Sequence, residues 1–306
     1  MIVLAAVPLL AGALLFCVAR PLGRRLPPSL AVRLLTVLAL SVALCSGLVL
    51  SVLAVLVGAR LGPLPRMGNW SAAVLRRDSG LPVLAGLVAC VVVAGCLTSA
   101  AVRAGRSLRD LAKARRLAQT LHPIDDALVL VEDDVPTAYA VAGSGGRVVV
   151  STSMLRALSA TERRVLIAHE QAHLRHSHHV YLHLVRLAAA ANPLLRPTAN
   201  AVAAGIERWA DEEAAATVGD RRLAAHALAN AALARAGHPG SGVALAIAES
   251  HVIERVQALL VAPVQRRHAL ASLVLLAATA SWAAATAITI WANNIVQAAE
   301  AVYLRR

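Results

Sequence analysis

Ala160-Thr-Glu-Arg-Arg-Val-Leu-Ile-Ala-His169-Glu170-Gln-Ala-His173 is the stretch from which the rest of this chain can be read. Its composition and apolar spacing are those of a helix. On a helix, residues four apart share a face, so His169 and His173 aim two imidazoles at one point. Glu170 follows the first histidine and lies beside that point. Two neutral imidazoles and a neighbouring carboxylate form the arrangement used for zinc-assisted peptide hydrolysis: the histidines hold Zn²⁺, and the glutamate takes a proton from a water the metal polarises.

Taken alone, the pentapeptide also fits a solvated helix face that happens to carry these residues. Two features favour the metal. Ser159-Ala-Thr-Glu162 has the form of a capping box ahead of the apolar run Val165-Leu166-Ile167, so both histidines lie well inside the helix. Downstream, Ile206-Glu-Arg-Trp-Ala-Asp-Glu-Glu213 is helical in composition and sets Glu207 and Asp211 at i and i+4. A catalytic zinc takes three protein ligands and leaves one position open. Glu207 is the natural third ligand, and Asp211 can accept the spare N–H of a ligating histidine. The competing reading of this second stretch is a wet acidic face, against which its alanine-rich surroundings argue.

The rest of the chain is apolar. It is 58% hydrophobic and only 15% charged, with a mean hydropathy of +0.66, against about 25% charged residues in an average soluble domain. Ile2–Ala19, Leu34–Ala59, Leu81–Val102 and His268–Ala292 carry no acid, lysine or arginine. Each suffices to cross a bilayer core of about 30 Å as a helix. A cleaved signal peptide is the alternative for the first run, but no positive segment precedes it. The expected organisation is three transmembrane helices with short loops over 1–102, a basic juxtamembrane linker helix over 103–126, a metallopeptidase domain over 127–265, and a fourth transmembrane helix with a short tail over 266–306.

Orientation follows arginine. The first loop carries Arg20, Arg24, Arg25 and Arg33, and the segment after the third span carries Arg103, Arg106, Arg109, Arg115 and Arg116 with Lys113. Arg60, Arg66, Arg76 and Arg77 make the second loop basic too, so the asymmetry is modest. It places the N-terminus outside and the motif-bearing domain in the cytoplasm. The net charge of +13 then belongs against anionic lipid headgroups. Nucleic acid is not an expected partner, because no aromatic residues interleave the basic clusters. Cys17, Cys45, Cys90 and Cys96 fall inside the apolar runs and imply neither disulfide nor thiol chemistry. The spans hold no charged pathway, which excludes a transporter.

Between linker and motif, Ala127–Glu132, Ala138–Ala142 and Arg147–Ser151 are β-like, the last two joined by Gly143-Ser-Gly-Gly146 as a hairpin turn. An edge strand beside the zinc could hold an extended peptide by strand addition, with Tyr139 and Ala140 as its centre; a purely structural hairpin fits equally. His176, His178 and His179, just past the motif, are expected to be surface histidines or outer partners of the site. Asn192-Pro193 breaks the next apolar helix, as a cap followed by a first-turn proline.

Several of these segments resemble a known group. Pro136–Ala140, Arg147–Leu155, Ser159–Glu162, His169–His173 and Glu207–Asp211 come in the order and spacing of the integral-membrane gluzincins: HtpX-type and CAAX prenyl protease peptidases, and antirepressor peptidases of the BlaR/MecR type. Asn192-Pro-Leu194, Glu254–Leu259 and the count of spans are most similar to the BlaR/MecR branch. The resemblance implies a mainly α membrane protein (α+β), with four transmembrane helices and a zincin-like metallopeptidase domain, containing a small β-sheet, inserted between the third and fourth. It implies one Zn²⁺ per chain held by His169, His173 and Glu207, with Glu170 as general base, Asp211 as the outer carboxylate and a protein or peptide as substrate. A cytoplasmic repressor is the partner implied by one branch, and quality control of membrane proteins is the role implied by the other. A non-catalytic signalling protein with a degenerate peptidase domain is the alternative from another class. Thr137 stands where an asparagine is frequent, and no penicillin-binding sensor domain follows the last span, so neither that asparagine's hydrogen bond nor β-lactam sensing is carried over.

Overall fold

The computed structural model describes residues 2–59, 69–71, 73–75, 82–123, 127–143, 145–236, 242–264 and 268–305, without the side chains of residues 2 and 242–250. Most of the loop over 61–80, the centre of the glycine turn at Ser144 and the connection over 237–241 lie outside the described residues.

Among the described residues four helices are long and apolar enough to cross a membrane: α1 (Ile2–Arg25), α2 (Pro28–Gly58), α3 (Val83–Thr120) and α10 (His268–Leu304). Pro28 occupies the first turn of α2, where its missing N–H costs nothing. The basic segment after Val102 continues α3 without a break, since neither proline nor a cap interrupts it. α2 is the central helix. Its Cys45 and Val49 pack against Ala285 and Ile288 of α10, and Gly86 of α3 lies so close that an added Cβ would overlap the Val57 side chain.

A three-stranded sheet follows: β1 (Leu128–Val131), β2 (Ala138–Val141) and β3 (Arg147–Ser151), in the order β1-β3-β2. β3 is central, parallel to β1 and antiparallel to β2. Its Val148, Val149 and Val150 are buried on both faces, as a central β-branched strand should be. The Ser151 N–H donates to the Thr137 carbonyl. Given the alternation of an antiparallel ladder, the backbone groups of Ala138 and Ala140 therefore face the open edge. Ser151 also accepts from the Thr137 and Met154 N–H groups, joining the sheet to the short helix α4 (Thr152–Ala157).

The motif helix α5 (Ala160–Arg175) starts with the expected capping box: the Glu162 carboxylate accepts from the Ser159 N–H at 2.8 Å, and the Ser159 hydroxyl accepts in return from the Glu162 N–H. Then α6 (His178–Ala191), a 3₁₀ turn (Pro193–Leu195) and α7 (Arg196–Val218) form a helical hairpin, and Gly219 in the left-handed region (φ 74°) closes α7. The hairpin does not sit beside the apolar helices; it enters them. The Asn192 side chain at its tip donates to the Ser46 hydroxyl in the middle of α2, and Gly12 of α1 leaves room for that amide. Val185, Val202, Ile206 and Trp209 share one core with Val32, Leu35, Leu38 and Val42 of α2. α8 (Arg221–Ala236) and α9 (Gly242–Leu260) complete the region.

Candidate metal centre

α5 and α7 cross so that His169 and His173 meet Glu207. The two Nε2 atoms are 3.2 Å apart. The Glu207 carboxylate oxygens lie 3.7 Å from His169 Nε2 and 3.8 Å from His173 Nε2. Among the described residues this trio is the group whose donor atoms could share a metal ion. Bonds of about 2.0–2.2 Å at tetrahedral angles put ligand atoms roughly 3.3–3.6 Å apart. Here Oε2 faces His169 and Oε1 faces His173, and one donor atom from each residue lies within 4.8 Å of the others, so two imidazole nitrogens and a carboxylate are gathered at a spacing that suits a divalent ion.

The surroundings hold both rings. His169 Nδ1–H donates to Asp211 Oδ1 at 3.0 Å, which leaves Nε2 for the ion. Burial opposes charge on His169, but the hydrogen bond and charge of Asp211 outweigh it, and its pKa is raised. Asp211 is 5% exposed; burial alone would raise its pKa, yet the bonds from Arg255 and His169 pull it well below the carboxylate range. Arg255 of α9 grips Asp211 with two bonds, Nε to Oδ2 at 2.8 Å and Nη2 to Oδ1 at 2.7 Å. Its Nη1 lies 3.2 Å from Glu207 Oε2.

His173 is held differently. A hydrogen bond of 3.0 Å joins its Nδ1 to Nδ1 of His178. Burial first, then the neighbouring histidines, lower the pKa to about 4 for His173 and about 3 for His178, so both rings are neutral at pH 7. His178 is itself buried against Trp209, with ring centroids 4.8 Å apart. Arg33 of α2 also lies over the Trp209 ring, 5.1 Å from its centroid.

Glu170 is buried, and burial pushes its carboxyl pKa upward. With His169, His173 and Glu207 it lines a cleft of about 270 Å³. Ala138 and Tyr139 of the β2 edge form the opposite wall, whereas Ala140 does not line the cleft. Arg235 of α8 also borders it and donates to the Ala138 carbonyl at 3.4 Å. The structure thus brings His169, Glu170, His173, Glu207, Asp211 and Tyr139 to one cleft. Arg255, Arg235 and His178 are the members that sequence reasoning did not single out. Their signals were slight: Arg255 lies inside a segment quoted only for its resemblance, and His178 was one of three histidines given no distinct place.

This geometry defines a class, that of proteins with a candidate metal site between two helices and beside a strand edge. The sequence model of peptidase family M48 matches residues 105–203, about a third of the chain. The match takes in the sheet, α5 with both histidines and Glu170, and the first turns of α7, and stops four residues short of Glu207. It supports a metallopeptidase. No curated protein and no solved structure matches the chain.

Proposed function

We propose that this chain is a membrane-embedded, zinc-dependent endopeptidase that cleaves a protein substrate at the cytoplasmic face of the cell membrane. The observation that carries the reading is the convergence of His169, His173 and Glu207, with donor atoms within 4.8 Å of one another, in a cleft shared with Glu170 and a strand edge. Zinc, when bound, supplies Lewis acidity toward the scissile carbonyl and toward a water molecule. Glu170 takes the proton released in the attack and returns it to the leaving amine. Asp211 and His178 fix the tautomers that point both Nε2 atoms inward, His173 giving its Nδ1–H to His178. Arg255 keeps Asp211 ionised and draws Glu207 toward the rings.

An extended substrate adds as a strand beside β2, pairing with the outward backbone groups of Ala138 and Ala140 and passing the Tyr139 side chain. The likeness to BlaR/MecR-type peptidases favours a cytoplasmic repressor as that substrate. Membrane proteins awaiting disposal are the substrate that the HtpX-type likeness offers.

The test uses full-length protein in detergent beside Glu170→Gln. Both should carry close to one zinc per chain by mass spectrometry of the metal. Cleavage of an unfolded protein should fall in the variant by about 10²–10⁴-fold, the usual contribution of a general base. Undiminished cleavage by Glu170→Gln removes the proposed base, and a wild type that binds no zinc removes the metal.

A further inference from the structure

A second groove lies away from the metal, between α3, α6 and α7. Arg103 and Arg106 of α3, Arg186 of α6 and Arg196 of α7 border it, with Ser99 and Asn200, around a volume of about 530 Å³. No carboxylate among the described residues lines it. Among the described residues none of the four arginines makes an ion pair, although six other arginines do. Arg103 Nε is buried without a hydrogen-bond partner, and the Arg103 guanidinium repels that of Arg186. Gathering like charges from three helices is unfavourable unless an anion joins them.

The position says which anion. Arg103 is the first charge after the apolar run of α3. Arg186 and Arg196 flank the Asn192 turn that reaches Ser46 in mid-α2. At 1.5 Å per residue they lie within about 6–9 Å of that tip along their helices. Cations carried this far toward an apolar layer need a counter-charge there. Above the groove, on the side of α3 that carries Ser99, Arg103 and Arg106, apolar side chains are unpacked, with Val88 54%, Val92 41% and Val102 49% exposed. Guanidinium forks suit phosphate oxygens, and an apolar strip leading out of the pocket suits acyl chains.

We propose that this groove binds the phosphate headgroup of an anionic phospholipid, with its acyl chains along α3. The site rests on the membrane reading of the four apolar helices. The bound phosphate ties α3 to both arms of the α6–α7 hairpin, and α7 carries Glu207 and Asp211.

The test is native mass spectrometry of the full chain released from micelles containing either phosphatidylglycerol or phosphatidylcholine, with melting temperatures measured in parallel. Wild type should retain phosphatidylglycerol and gain thermal stability from it, and should do neither with phosphatidylcholine. Arg186→Gln and Arg196→Gln should each weaken retention about fivefold, the worth of one basic residue at an anionic surface. Arg186→Lys, which keeps the charge, should lose less and so separates lost binding from lost folding. A pair on the exposed part of α3, Arg115→Gln with Arg116→Gln, should change nothing. Equal retention of the two lipids overturns the site, as does equal loss in the Arg115/Arg116 control. Millimolar inorganic phosphate that stabilises as well as the lipid replaces the lipid with a soluble anion and overturns it too. Resistance of the chain to alkaline extraction from membranes tests the membrane reading on its own.

Discussion

The two ends of α7 treat charge in opposite ways. In its C-terminal half every acid meets a cation: Glu207 and Asp211 share Arg255, Glu212 meets Arg221, and Glu213 meets Arg175 at 3.2 Å. At its N-terminal end Arg196 joins three other arginines around a groove that no acid lines among the described residues. The first arrangement is complete within the chain, so its geometry is set before any ion arrives. The second is completed from outside. Arginine-to-glutamine changes at the two ends should therefore differ in sign as well as in size.

The largest effect belongs to Arg255. Its removal leaves Asp211, 5% exposed, without the bidentate partner that keeps it charged. Breaking a buried pair from one side costs about 3–5 kcal/mol. Arg255→Gln should lower stability by that order in denaturant titrations of the detergent-solubilised protein. Zinc affinity should also fall, by about 10–100-fold, the range for outer partners of metal ligands. A loss below about 1 kcal/mol would mean that the paired end is not the preset one.

His178 comes next. His178→Leu removes the acceptor that holds the His173 ring, at some cost to packing on Trp209. Metal affinity should drop by about tenfold or more. His178→Asn, which restores an acceptor, should recover part of it. If both variants bind zinc as wild type does, the Nδ1 contact is incidental and His173 is held by packing alone.

The ranking of these residues shows what could be read from the letters. His169, His173, Glu207 and Asp211 were legible because each pair obeys helical spacing within its own helix, and the Ser159–Glu162 cap marked where one helix begins. Arg255 was not, since it lies 44 residues from Asp211 and only tertiary packing of α9 unites them. His178 was hidden by a break in the rule that exposed the others. Five residues along one helix are turned by about 140° from each other. Here, however, α5 ends at Arg175, and Ser177 takes a left-handed conformation (φ 51°) that swings His178 back onto His173. Asn192 was rightly read as a cap, for it accepts from the Leu194 N–H at 3.2 Å. Its second bond, to Ser46, depends on how deep the hairpin sits, which no local pattern encodes. Tyr139 was placed correctly on an edge strand because the alternation and the glycine turn fixed β2, and of that strand Ala138 and Tyr139 line the cleft.

A smaller effect separates burial from pairing. Glu254, the residue before Arg255, is also doubly paired, with Arg20 at 2.9 Å and Arg24 at 2.7 Å, but its side chain is 45% exposed. Exposed pairs are worth about 0.2–1 kcal/mol and weaken with salt. Glu254→Gln should cost no more than that. The hydrogen bond from Arg24 holds the Glu254 pKa below its ordinary 4.5. Because the folded value lies below the unfolded one, the contribution is full above pH 4.5 and fades as the pH falls further. Wild type and Glu254→Gln should thus differ slightly at pH 7 in low salt and converge on acidification. A difference of several kcal/mol would show that the α1–α9 contact is as fixed as the metal end of α7.

The smallest effect is the most diagnostic, because its sign reverses. In lipid-free detergent Arg186 has no anion and faces Arg103 across the groove. Arg186→Gln there removes a repulsion and breaks no bond, so stability should hold or rise by about 0.5 kcal/mol, the scale of a partly exposed like-charge contact. With phosphatidylglycerol present, the same change removes a ligand of the phosphate, and the variant should become the less stable of the two. Arg255→Gln should be destabilising under both conditions. If Arg186→Gln is instead harmful without lipid and indifferent to its addition, the arginines of the groove are satisfied by the chain itself, and the contrast between the two ends of α7 disappears.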